Sequence, residues 1–277
     1  MENLNDKLKK VMIKYESDFN LITMAFINFF GLQHREYILR KLNNSRIVWF
    51  DDTVDRENSD ISDCIISSIH KEEIDEILSK RNKNAFLQSA YIDEFDLLVL
   101  PLSYDLTQII HENNHKIGSH IISRKPLIFI NGLSYAEVGS LGAIIYDEYL
   151  MEVINQKMTL DIIDELNQLG LEVRKTSSWQ EHLFPLINLF YETFKDLLKE
   201  THISGDLSTF KKTLGEDNYN YFSQMIHLKG FKLIRDLNRG REPSISQEVI
   251  DEVEEIVIKM KNNYDNVNSQ NGSKCKK

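Results

Sequence analysis

The sequence predicts an α+β fold that is predominantly helical. A small sheet packs on the helix that carries HENNH (residues 111–115), and a helical C-terminal part follows. Three observations predict this. Only four prolines and eleven glycines occur in 277 residues, so long periodic segments run without interruption. Apolar residues recur at three- and four-residue intervals through most of the chain, the spacing of one helix face. Between residues 45 and 100 that spacing gives way to short β-branched and aromatic runs, which fit strands.

Residues 3–42 read as two or three helices with a break at Gly31. The next run, SRIVWFDD (45–52), has a strand-forming core at Ile47, Val48, Trp49 and Phe50. DDTVDRENSDISD is an acidic loop. It lacks the glycine and closing glutamate of an EF-hand, so no calcium site is assigned there. Residues 63–80 are expected to be helical, 85–92 and 95–100 to be strands, and Pro101 stops the second of these. Ser103 or Asp105 can cap the helix carrying HENNH, and Gly118 stands where it should end. Residues 125–130 read as a further short strand or loop. A long helix is expected from about 135 to 169, stopped by Gly170. Residues 179–199, 216–237 and 246–262 show helical periodicity, with Ser244 and Gln247 as a capping box for the last. The polar stretch 263–277 is expected to be a disordered tail. The domain reading is N-terminal helices over 1–44, a core over 45–170, a helical part over 171–262, and the tail over 263–277. No internal repeat is present.

Composition narrows the function. The chain is 42% hydrophobic and 27% charged, as in an ordinary globular protein. A net charge of −10 disfavours generic binding to nucleic-acid backbones, which needs clustered cations. The short runs KLKK and SKRNK read as solvated surface. Two distant cysteines, Cys64 and Cys275, make no disulfide framework and fit a reducing, cytoplasmic setting. The N-terminus carries charges where a signal peptide needs its apolar region. The apolar run from Phe19 to Phe30 is too short to span a bilayer, so no membrane role is expected.

HENNH is the segment that carries chemistry. On a helix, residues four apart lie on one face, so His111 and His115 can each give a ring nitrogen to one ion. Glu112, next to the first histidine, can take a proton from a water that attacks a carbonyl. Zinc suits this use because it keeps an open position for water. A third ligand has two routes. One is HExxHxxGxxH: Gly118 is in place, but the histidine comes one residue early, at His120. The other is YDEYLMEVINQKM, where Glu148 and Glu152 stand four apart on one helix face. One of them can ligate the ion and the other can accept a histidine N–H. FINFFG and FPLINLFYETF are rich in phenylalanine and read as core, with Trp179, Phe184, Phe190 and Phe194 joining the helical C-terminal part to itself or to the core over 45–170.

Strand, HExxH helix, connecting segment and glutamate helix together resemble the zincin metallopeptidases. The glutamate (gluzincin-like) variety is nearest, loosely the ImmA/IrrE-like domains. The resemblance spans roughly residues 45–160. It implies a zinc-dependent hydrolase that cleaves a peptide bond in a protein or peptide substrate. His111 and His115 would be zinc ligands, Glu112 the general base, and a glutamate the third ligand. MEVINQ is similar to the Glu-x-x-Asn third-ligand helix of such proteins, which favours Glu152, with Glu148 the alternative. Asn114 stands where the family usually has a small residue. Zincins often add a Tyr or His at the oxyanion, and Tyr135, Tyr146, Tyr149 and His120 are near enough in sequence to serve. The rival expectation is a non-catalytic helical interaction protein, or a pseudo-peptidase on the same fold.

Overall fold

The computed structural model describes residues 4–50, 65–67, 97–118, 146–237 and 239–274. The chain is predominantly helical, and by internal contacts it divides into two compact units. The first comprises residues 1–134 with 158–176, and the second 135–157 with 177–277.

The first unit opens with α1 (Leu4–Phe30). Its buried residues Leu8, Val11, Tyr15, Ile22, Phe26 and Phe30 keep a helical repeat. Gly31, at φ 103°, lets the chain turn where an L side chain would be strained, and a short 3-10 turn (Leu32–His34) leads into α2 (Arg35–Asn43). Strands β1 (Arg46–Phe50), β2 (Ile65–Ser67) and β3 (Leu97–Pro101) follow. β1 lies between the other two, antiparallel to β2 and parallel to β3, with Val48 opposite Ser67 and Val99. Trp49, Leu98 and Leu100 are buried. α3 (Leu106–Ile117) packs on β3 and α2. α4 (Tyr146–Gln168) is one continuous helix, and its turns from Met158 onward bring buried Ile162, Ile163 and Leu166 to this unit. Gly170, at φ 91°, ends it.

The second unit is a helical assembly. A 3-10 turn (Trp179–Leu183) carries a capping box between Ser178 and Glu181. α5 (Phe184–Ser204) starts with Pro185 in its first turn and kinks at Phe194. α6 (Leu207–Leu214), α7 (Glu216–Leu237) and α8 (Gln247–Lys274) complete it. Phe190 is the hub: its ring centroid lies 4.6 Å from Phe222, 5.2 Å from Phe194 and 6.3 Å from Phe210. These rings join α5, α6 and α7. Lys157 lies 5.1 Å from the centre of the Phe184 ring and 5.3 Å from that of Tyr191. No described helix is long and apolar enough to cross a membrane.

Several expectations need correction. Residues 65–67 are a strand, not the start of a helix. Their Ile-Ile pair satisfies a β-ladder, and this outweighs the helical reading of the segment. Helix α6 was not foreseen. It is short and stands on the cap at Asp206, whose carboxylate accepts from the Thr209 amide at 2.9 Å. The last helix does not end near residue 262 but runs to Lys274, through residues expected to be disordered. Tertiary anchors override its weak propensity: Asn263 donates to the Leu214 carbonyl at 3.2 Å, and the Tyr264 ring lies 5.9 Å from Phe194. Ser246 rather than Ser244 precedes this helix, and the Gln247 amide donates forward to Asp251. The expected acidic loop, the strand over 85–92, the segment over 125–130 and residues 135–145 of the long helix lie outside the described residues.

His227 on α7 has its pKa lowered from 6.5 by burial. The unfolded chain therefore takes up this proton first on acidification, and the folded state loses stability as pH falls below about 6.5. His227→Gln removes that share. Urea midpoints measured at about pH 7.5 and about pH 5 should differ less in the variant than in the wild type.

Candidate metal centre

The site is built on α3. Asp105 caps it, its carboxylate accepting from the amides of Thr107 (2.9 Å) and Gln108 (3.2 Å). Thr107 extends the closure. Its hydroxyl donates to the Arg174 carbonyl at 3.4 Å and accepts from the Thr176 amide at 3.1 Å. Gly118 follows the last turn, and the Tyr37 hydroxyl donates to the Ile117 carbonyl at 2.9 Å. Both ends of the helix are thus tied to residues elsewhere in the first unit, the head to the backbone of 174 and 176 and the end to the Tyr37 side chain.

Burial on α3 is uneven in a useful way. Ile109, Ile110, Asn113, Asn114 and Ile117 are fully buried, while His111, Glu112 and His115 are half-buried. Asn113 anchors one side of the helix. Its amide donates to the Ile109 carbonyl at 2.7 Å, and its oxygen accepts from the Tyr15 hydroxyl at 3.4 Å. Burial pushes the Tyr15 phenol up to about 12, against a smaller downward pull from the bond to Asn113. Tyr15 therefore stays a donor at physiological pH. Beside it, Tyr104 donates to Asp18 at 2.8 Å, and Lys14 pairs with the same carboxylate at 3.3 Å. Burial, then the bond to Asp18, drives the Tyr104 phenol far above its usual range. Tyr104 sits at φ 60°, in the left-handed region, immediately before the cap.

Two helix positions from Asn113 in either direction stand the histidines. The Nε2 atoms of His111 and His115 are 3.0 Å apart, with the rings edge to face at 4.6 Å between centroids. Glu152 on α4 completes a group of three half-buried side chains: each offers one ligand atom, and these atoms all lie within 4.8 Å of one another. Two nitrogens bound to one tetrahedral zinc at about 2.0–2.1 Å would stand about 3.3–3.4 Å apart, so a small outward swing of the rings would accommodate the ion. Two imidazoles and a carboxylate are also the donor set that zinc takes in an open, three-ligand site. The residues fit the metal.

The other expected site residues fall differently. Glu148, Tyr146 and Tyr149 lie on the first turn of α4, and their side chains are outside the described residues. His120 and Tyr135 are also outside them. The sequence reading missed Tyr15, Tyr37, Tyr104 and Asp18. Nothing local marks them, because their partners are 80 to 98 residues away in the chain. Asn113 and Asn114 did leave a signal, being two poor helix formers in mid-helix.

No protein-family model, curated protein or solved structure matches this chain.

Asp105→Ala removes the acceptor for two amides at the head of the site helix. It should lower stability by about 1–2 kcal/mol, read as a fall in the thermal midpoint, while Asp105→Asn should cost well under half of that.

Proposed function

We propose that the chain is a zinc-dependent metallopeptidase of the glutamate zincin kind, hydrolysing a peptide bond of a protein substrate. One observation carries the reading: an HExxH pattern lies on a capped helix, and its two histidines converge with the Glu152 carboxylate into one half-buried donor set. On this reading β1–β3 and α3 belong to a zincin core, Glu152 is its third ligand, and the protein works in the cytoplasm.

Zinc, when bound, supplies a Lewis acid and a water that ionises near neutral pH. The chain's own residues do the rest. His111 and His115 stand one turn apart on a helix fixed at both ends, so their rings start beside one another and need only a small swing to take one ion. Glu112, half-buried beside His111, accepts the proton that water releases as its oxygen attacks the scissile carbonyl carbon. It then returns that proton to the leaving amine nitrogen as the C–N bond breaks. Asn113 and Tyr15 fix the rotation of the helix and so the direction in which the histidines and Glu112 point.

Mass-spectrometric metal analysis of the purified chain should find about one zinc per molecule, and His115→Ala should lose it. Glu112→Gln should keep the metal and lower peptide hydrolysis by about 10²–10⁴-fold. A chain that takes up no zinc when it is supplied would refute the reading. Zinc bound by the wild type without any Glu112-dependent hydrolysis would assign the same centre to a pseudo-peptidase.

A further inference from the structure

The second unit closes with two antiparallel neighbours, α7 and α8. Asn263 on α8 bonds the Leu214 carbonyl just before α7 begins, and Val249 near the start of α8 lines the same cleft as Leu233 near the end of α7. Both helices hold large apolar side chains in solvent. Tyr221, Leu228 and Phe231 on α7 are 51%, 56% and 46% exposed, and Ile258 on α8 is 54% exposed. Tyr221, Gln224, Leu228, Phe231 and Arg235 follow the spacing of a single helix face, and all five are exposed. The Tyr221 hydroxyl donates to exposed Glu252 at 2.7 Å, so the exposed edges of the two helices adjoin.

Charge divides this face sharply. Residues 229–241 carry Lys229, Lys232, Arg235, Arg239 and Arg241 against one acid, Asp236. Residues 247–255 carry Glu248, Asp251, Glu252, Glu254 and Glu255 and no base. In an antiparallel pair these two stretches fall at the same end. Among the described residues, Lys232, Arg235, Glu248, Glu254 and Glu255 enter no ion pair, so the complementarity is not used up within the chain.

The geometry points to a second copy of this chain as the occupant of the face, with α7 of each protomer lying on α8 of the other. A two-fold axis parallel to the helix pair sets each α7 over the partner copy's α8 at the same level. Basic stretch then meets acidic stretch twice, and the exposed apolar side chains lie within the contact. The arrangement is self-complementary and closes at two copies. Two helices side by side, each at least about 33 Å long and about 10 Å wide, present an area on the order of 650 Å², near the roughly 800 Å² per partner of a stable interface. Charge at such a contact sets pairing and rate, while apolar area holds the complex.

Sedimentation velocity on the full chain tests this. At about 50 mM salt the wild type should form a concentration-dependent dimer, weakened at least about tenfold at about 500 mM. The double variants Lys232→Glu/Arg235→Glu and Glu248→Lys/Asp251→Lys should each sediment as monomers. Mixed in equal amounts they should dimerise again, because each reversed face then meets its complement in both contacts. All four positions are exposed, and unchanged circular dichroism melts show that the variants are folded. A wild type that stays monomeric at low salt would leave the face to a different, acidic partner and overturn the proposal. So would a dimer that persists in both variants, or a mixture that fails to reassociate.

Discussion

The constraint on which the site depends is the rotation of α3 about its own axis. A helix residue points where its neighbours force it to point, and a rotation of one residue swings a side chain by about 100°. In α3 that freedom is removed by buried polar groups rather than by apolar packing alone. Asn113 is fully buried and its oxygen accepts from Tyr15, so turning the helix would strand that oxygen and the Tyr15 hydroxyl in the core. With Asn113 fixed, the positions two before and two after it are fixed too, and the histidines share the half-buried side.

This explains why Asn113 occupies a place where helix propensity would favour alanine or leucine. A slippery apolar surface would bury more area, but it would tolerate a small rotation. A hydrogen bond does not, since an unmade one in the interior costs about 1–3 kcal/mol. The same logic runs through Tyr15, Tyr104 and Asp18. Burial keeps both phenols protonated, and each donates a hydrogen bond to an acceptor on another element. Polar groups in this part of the molecule set direction, while the Phe190 cluster of the second unit supplies cohesion.

Much of the helical architecture was legible because it is written locally. Gly31, Gly118 and Gly170 each stand at a helix boundary, Asp105 caps α3, and α7 runs over residues 216–237 as its periodicity predicts. The i, i+4 pairing of His111 and His115 needs only the helical repeat. What escaped was non-local. The segment around Ile65 has no alternation to mark it as a strand, and its state follows from pairing with β1. The final turns of α8 look like solvent-loving coil until Asn263 and Tyr264 find partners some fifty and seventy residues back. Tyr15 is one aromatic among many in a helical stripe, and its bond to Asn113 is invisible without the fold.

The closure at the head of α3 carries a consequence for the order in which the molecule is made. Asp105 and Thr107 are bonded by residues 174–176, which are translated some seventy residues later. A nascent chain that has emerged only as far as α3 can wind the helix and cap it with Asp105, but it lacks the bonds that residues 174–176 add. Those bonds wait until the whole of α4 has left the ribosome and the segment after Gly170 has come back across the cap. Such sequence-distant contacts are entropically expensive to close and tend to form late. The bonds that close the head of the helix bearing the histidines therefore form only after synthesis has passed Thr176.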